Sequence, residues 1–182
     1  MLSAEQEEDE AAFFESGWLD DEERIDVYGV FVLEDMPVAD IENVFRSQED
    51  YGNERLWLAD DYNNLPDFYF HLPSHPHTKL PLDPNWQSPF RGKTVADVAE
   101  FLRSVPKPRK PLCKTYFAVL DKTLYREQGH ILVCKVLEDG QVQSIPCVAS
   151  FVGVFFGGHE RYMWANELSS WEEYGSVAMS DV

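Results

Sequence analysis

The stretch Ile25-Asp-Val-Tyr-Gly-Val-Phe-Val-Leu33 decides the fold, because it gathers β-branched and aromatic residues into one nearly unbroken apolar run. Such a run is typical of a strand buried within a sheet. The turn-forming residues 34–37 follow it, and Ile41, Val44 and Phe45 then recur at helical spacing. A buried strand followed by an amphipathic helix indicates a layered protein that contains both kinds of element.

Further strands and helices follow along the chain. Apolar runs bounded by turn residues predict strands over 55–58, 115–120, 130–137 and 142–156, and a Glu138-Asp139-Gly140 turn joins the last two as a hairpin. Thr94 with Asp97 forms a capping box that opens a helix ended by Pro106. Two more helices are predicted over roughly 4–16 and 159–174, and residues 121–129 are expected to form a connection. The pattern predicts an α+β or mixed α/β fold, with a mixed, largely antiparallel sheet and about four helices.

The length of 182 residues, of which 44% are hydrophobic, suits one layered domain without structural metals or disulfides. Residues 1–24 are interpreted as an acidic, aromatic N-terminal extension, and residues 25–182 as the single domain. Within that domain, the six prolines of 66–89 predict a long ordered loop, and 103–114 reads as a stiff, exposed, basic connector.

Three segments in the second half of the chain carry a family resemblance. The strand Tyr116-Phe-Ala-Val-Leu-Asp121, the strand His130 to Lys135 and the final helix with its Trp and Tyr residues resemble uncharacterised hypothetical proteins of filamentous fungi. The resemblance implies a mixed α/β domain and carries no assigned activity.

Charge is distributed very unevenly along the chain. Residues 1–61 contain twenty Asp and Glu residues against three arginines, so they carry −17 of the total formal charge of −18. Like charges repel, so this end of the chain disfavours nucleic acid and favours a basic protein partner. The expected function is therefore that of a noncatalytic soluble binding or regulatory protein that uses an acidic surface.

The N-terminal extension combines aromatic and acidic residues in the manner of an interaction segment. Phe14 and Trp18 lie four positions apart, so a helix would bring them together into an apolar ridge that could enter a groove in a partner. The predicted binding residues are Phe14, Trp18, Leu19, Asp20, Asp21, Glu22 and Glu23. The alternative is that these aromatics pack against the protein's own sheet.

Histidines provide the main catalytic or metal-binding candidates. His71, His75 and His77 would share one face of an extended segment, and three imidazoles could hold zinc. His159 follows a glycine pair at a strand-to-helix junction, where a histidine could exchange protons. These residues support an alternative function, a small isomerase, cyclase or hydrolase acting on an apolar metabolite. Exposed loop histidines and an ordinary helix start remain the competing interpretations.

The aromatic residues Trp57, Tyr69 and Trp86 could line a pocket for a small apolar ligand, or could equally belong to the core. The three cysteines lack a CxxC pair, which argues against a disulfide framework or a cysteine zinc site. Cys113 has Lys110 and Lys114 nearby, which predicts mild reactivity, whereas Cys134 and Cys147 are expected to pack as small apolar groups. We expect no cofactor and no contact with a membrane. The expected location is the cytoplasm or the nucleus, and the sequence leaves the oligomeric state open.

Overall fold

One open sheet of five strands forms the centre of the protein. The structure is a computed structural model that describes residues 27–48, 55–65, 78–105, 112–156 and 164. The strands are β1 (Tyr28–Val32), β2 (Leu56–Leu58), β3 (Tyr116–Leu120), β4 (His130–Val136) and β5 (Val142–Val148). Their order across the sheet is β2-β1-β3-β4-β5, so β1 lies inside the parallel half.

The sheet is mixed, as the sequence predicts. β1 pairs in parallel with β2 and with β3, whereas β3–β4 and β4–β5 are antiparallel. The predicted hairpin between β4 and β5 is confirmed, and Gly140 takes the positive φ of 86° that its turn requires. Parallel neighbours need a crossover connection, and helices supply it on both sides of β1.

Four α-helices lie within the described residues: α1 (Val38–Arg46), α2 (Val95–Ser104), α3 (Lys122–Gln128) and the short α4 (Val152–Val154). The predicted capping box of α2 is confirmed, because the Thr94 side chain accepts from the Asp97 N–H while Asp97 accepts from the Thr94 N–H. The helix ends at Ser104 with Val105 as its C-cap, in agreement with the predicted stop at Pro106.

The two crossover helices cover opposite faces of the sheet. Ile41, Val44 and Phe45 of α1 pack in one buried cluster with Tyr28, Val30 and Val32. Val98 and Leu102 of α2 pack in the other with Phe31, Phe117 and Val119. Even and odd positions of β1 therefore face different cores, which explains why the whole strand is buried and reads as a continuous apolar run.

The structure corrects the sequence interpretation at three places. The strand predicted over 142–156 ends at Val148, and a 3-10 turn at Ala149–Phe151 leads into α4. The connection over 121–129 contains α3, which begins at the Asp121 N-cap and ends at Gly129 with a φ of 70°. Leu112 and Cys113, placed in the exposed connector, are buried, because this segment bridges to Val27 beside the sheet.

Several predictions fall outside the described residues. They include the N-terminal extension 1–24 with its helix, most of the C-terminal helix 159–174, loop residues 66–77 and connector residues 106–111. The described part of the predicted loop, residues 78–89, contains neither helix nor strand, in agreement with its proline content.

Candidate interaction surface

At one end of the sheet, the carboxyl ends of the parallel strands β1, β2 and β3 lie beside the N-termini of helices. Asp121 caps α3 by accepting from the Leu124 N–H at 2.7 Å, and Glu34 accepts from the Lys122 N–H at 2.8 Å. Carboxylates at these positions satisfy free N–H groups and interact favourably with the helix dipoles. The carboxylates at this end of the sheet therefore have a structural role in the fold.

Other carboxylates of the acidic third are paired with arginines. Asp40 forms a 2.8 Å ion pair with Arg126, which joins α1 to α3. Arg46 lies 3.3 Å from Glu42, and Arg91 lies 3.7 Å from Asp35. Exposed pairs of this kind add little stability, but they reduce the charge available to an incoming partner.

The described part of the chain is close to electrically neutral. It contains thirteen Asp and Glu residues and ten Lys and Arg residues, a formal charge of −3 out of −18. Residues 1–26 contain eleven acidic residues and only Arg24, a formal charge of −10. Most of the negative charge therefore resides in segments outside the described sheet and helices.

Three pKa shifts arise within the described part of the chain, and each has a structural cause. Hydrogen bonds from Thr94, first its N–H and then its hydroxyl, lower the pKa of Asp97 in the capping box. Desolvation, reinforced by Asp40, raises the pKa of Tyr125. Burial raises the pKa of Cys134 to about 12. A perturbed pKa can mark a reactive group, but here a cap, a partly buried phenol and a core thiol account for the shifts.

The thiols lie in the interior. Cys134 and Cys147 are buried in opposite cores, which confirms their predicted packing role. Cys113, whose neighbouring lysines indicated mild reactivity, is also buried, and its sulfur accepts from the Tyr116 N–H at 3.4 Å. Burial limits access of any reagent to these sulfurs.

The histidine candidates His71, His75, His77 and His159 lie outside the described residues, so the catalytic and metal-binding alternatives stay predictions. Within the described ranges no group of three or more His, Cys, Asp or Glu residues has a metal-binding arrangement. His130, which lies in β4, contacts the Gln128 carbonyl through Nδ1 at 2.7 Å.

The two described residues of the predicted apolar pocket belong to different cores. Trp57 is buried in the cluster that contains α2 and donates its indole N–H to Asp60 at 3.1 Å. Trp86 is half-buried and packs against the cluster that contains α1. Tyr69, like the binding residues of the extension from Phe14 to Glu23, lies outside the described residues. The ligand pocket stays a prediction.

The loop over 78–94 covers one of the two sheet edges. The Leu58 N–H, which points away from β1, donates to the Thr78 hydroxyl at 2.8 Å. The Gly92 N–H donates to the Leu33 carbonyl at 2.8 Å, and the Phe90 ring packs edge-on against Phe31 at 4.8 Å. The Thr78 contact holds the start of the loop against β2, and the other two contacts hold its end against β1. The N–H of Leu58 is therefore not available for pairing at this edge.

The other edge strand, β5, differs in the direction of its backbone hydrogen-bonding groups, which the sequence analysis did not predict. Two hydrogen bonds bracket the β4–β5 ladder, from Leu137 N to the Gln141 carbonyl at 2.8 Å and from Ala149 N to the Gly129 carbonyl at 2.9 Å. Antiparallel pairs alternate, so the backbone groups of even-numbered β5 residues point away from β4. Pro146 sits at one of these outward positions, and a proline inside an apolar strand is the sequence signal of an edge.

Comparison of the chain with protein family models, with curated proteins and with solved structures finds no match. The resemblance to hypothetical fungal proteins therefore stays a prediction. Within the described ranges, no helix has the length and apolar character needed to cross a bilayer.

Proposed function

We propose that this chain is a noncatalytic binding or regulatory protein whose acidic surface engages a basic protein partner. The observation that carries the proposal is the contrast in charge between residues 1–26, at −10, and the whole described domain, at −3. The domain serves as a scaffold, and the acidic extension supplies most of the attraction.

The arrangement of the carboxylates supports this division of roles. In the described domain, Asp121 and Glu34 cap α3, Asp97 closes the box of α2, and Asp40 pairs with Arg126. In the extension, residues 1–24, ten acidic residues stand beside a single arginine. A surplus of one sign steers an oppositely charged partner during diffusion and disfavours partners of like charge.

The aromatic residues of the extension supply the second part of the interaction. Phe14, Trp18 and Leu19 offer apolar area that a purely electrostatic contact would lack, and aromatic anchors carry much of the binding free energy in protein interfaces. The acidic residues from Asp20 to Glu23 follow directly in the sequence. The combination fits a basic partner that has an apolar groove.

Binding of the full chain to a polylysine probe, followed by fluorescence anisotropy over a range of salt concentrations, tests the proposal. Affinity is expected to fall steeply between about 50 and 300 mM salt, because counterions screen the attraction. Deletion of residues 1–24 should weaken binding by about tenfold or more, since it removes half of the formal negative charge of the chain.

Two variants separate the contributions of charge and apolar contact. Conversion of Asp20, Asp21, Glu22 and Glu23 to their amides should weaken polylysine binding, whereas Phe14→Ala with Trp18→Ala should leave it nearly unchanged, because polylysine has no groove to fill. Affinity that is independent of salt, or that survives the deletion intact, contradicts the proposed function.

A further inference from the structure

We infer that the outer edge of β5, which no other described strand pairs with, is the docking surface on which an extended, basic segment of the partner adds as a sixth strand. The inference rests on the proposed function and specifies where the folded domain takes part. It follows from the hydrogen-bonding pattern of β5, from the contrast with the protected edge at β2, and from the charge of the chain.

The backbone of β5 offers donors and acceptors in the spacing of a strand. The N–H groups of Val142, Ser144 and Val148 point outward, as do the carbonyls of Val142, Ser144 and Pro146. Among the described residues, none accepts a hydrogen bond from these three N–H groups. Unpaired groups of this kind are a template for strand addition.

Apart from Pro146, which removes one outward N–H, the side chains of β5 leave its edge open. Its sequence, Val-Gln-Ser-Ile-Pro-Cys-Val, contains no charged residue, so it lacks the lysines that commonly protect edge strands. By contrast, the Leu58 N–H at the β2 edge is already satisfied by Thr78. On one side of β5, the Trp164 indole donates to Gln143 at 2.8 Å and so helps to hold the strand in place.

Charge selects the class of strand that can dock. Glu138 and Asp139 are exposed in the turn that leads into β5. Two copies of a chain with a formal charge of −18 repel each other, so self-association through β5 is disfavoured. A lysine- or arginine-bearing strand is instead attracted by Glu138 and Asp139 beside β5 and by the net negative charge of the chain, which favours a basic segment as the occupant.

The test uses the full chain and a fluorescent peptide, as long as β5, that alternates lysine with valine. The edge is altered by Ser144→Pro, which removes one outward N–H and leaves the inward ladder to β4 in place. Ser144→Ala is the matched control, because it also loses the hydroxyl contact to Cys134 but keeps the N–H. Ser144→Pro should weaken peptide binding about tenfold relative to Ser144→Ala.

A second pair of variants keeps the inference testable if Ser144→Pro fails to fold. Val148 has a φ of −56°, close to the value that proline imposes, so Val148→Pro should fold, and Val148→Thr retains the N–H. The proline variant should again bind more weakly than its control. A peptide of the same sequence with N-methylated backbone amides keeps the charge, cannot form the ladder, and should bind weakly to every variant.

The outcomes separate failure of this inference from failure of the proposed function. If the chain binds the lysine peptide in a salt-sensitive manner but each proline variant matches its control, the β5 inference is overturned and the proposed function stands. If the lysine peptide does not bind at any salt concentration, both are overturned. A dimer that Ser144→Pro dissociates would identify a second copy as the occupant and overturn the choice of a basic segment.

Discussion

The carboxamide oxygen of Gln48, just after α1, accepts a hydrogen bond at 3.0 Å from the backbone N–H of Gly153 in α4. The amide nitrogen of the same side chain donates to the Ala149 carbonyl and to the Val44 carbonyl. Gln48 is fully buried, so one side chain satisfies backbone groups at the end of one helix and at the start of another. Its role is to fix the segment after β5 against α1.

Replacement of Gln48 by Met, which preserves its approximate size, should lower the free energy of unfolding by about 2–3 kcal/mol, because the buried N–H of Gly153 and carbonyl of Ala149 lose their partner. Urea denaturation measures the change. Gln87→Met, at an exposed loop position, is the control and should alter stability little. If the two variants had equal free energies of unfolding, the hydrogen bonds of Gln48 would make no net contribution to stability.

The Thr78 hydroxyl should be needed to close the β2 edge. Thr78→Val keeps the shape of the side chain but leaves the buried N–H of Leu58 without an acceptor, with an expected loss of about 1–2 kcal/mol in the free energy of unfolding. Thr78→Ser retains the hydroxyl and should be closer to the unaltered protein. Thermal unfolding of the three proteins compares them, and a Val variant as stable as the Ser variant would contradict this role.

The capping box makes a measurable contribution to α2. Thr94→Ala removes the side-chain acceptor of the Asp97 N–H and should lower the free energy of unfolding by about 1 kcal/mol. Thr94→Ser preserves the acceptor and should recover most of the loss. Urea denaturation monitored by circular dichroism distinguishes them, and an alanine variant equal to the serine variant would rule out the cap as the cause.

The stabilisation from Asp97 should depend on pH. Its pKa is lowered from the ordinary 3.8, so the charged form is favoured in the folded state. The resulting stabilisation is complete above the unfolded-chain pKa and is lost as the pH falls through the lower folded pKa. The stability difference between the unaltered protein and Asp97→Asn should therefore shrink below about pH 3.8. A difference that stays constant down to pH 2 would exclude this titration.

The thiols should react only after unfolding. Burial of all three cysteines limits access to the sulfurs, and the raised pKa of Cys134, about 12, keeps that thiol protonated at pH 8. A chromogenic disulfide reagent should detect no rapidly reacting thiol in the native protein and all three in denaturant. Rapid labelling of Cys113 in the native protein would support the reactivity that its neighbouring lysines indicate.

Local signals predicted the elements that the chain specifies over short distances. The β1 run, the α2 capping box and the Glu138 to Gly140 hairpin each depend on neighbouring residues, and all three are confirmed. Helix α3 was missed because seven residues give a weak apolar period, although the Asp121 cap and Gly129 marked its two ends.

Features that depend on distant contacts could not be predicted in the same way. The apolar run after Val148 reads as a strand, but its backbone becomes helical where Gln48, about a hundred positions earlier, supplies hydrogen-bond partners. Strand order and the two unequal edges likewise depend on non-local pairing. The sequence predicted β5 as a strand. Identifying its outer edge as open among the described residues required the strand order of the structure.

The strand order has a consequence for the protein during synthesis. β1 can pair with β2 once both strands have left the ribosome. Its other side stays unpaired until β3 has been synthesised, because there Val30 pairs with Ala118. Parallel contacts of this range close slowly, whereas the β4–β5 hairpin closes locally. A nascent chain or proteolytic fragment that stops before Tyr116 therefore leaves β1, whose five residues are all buried in the folded protein, paired on one side only, and truncation there should yield insoluble material.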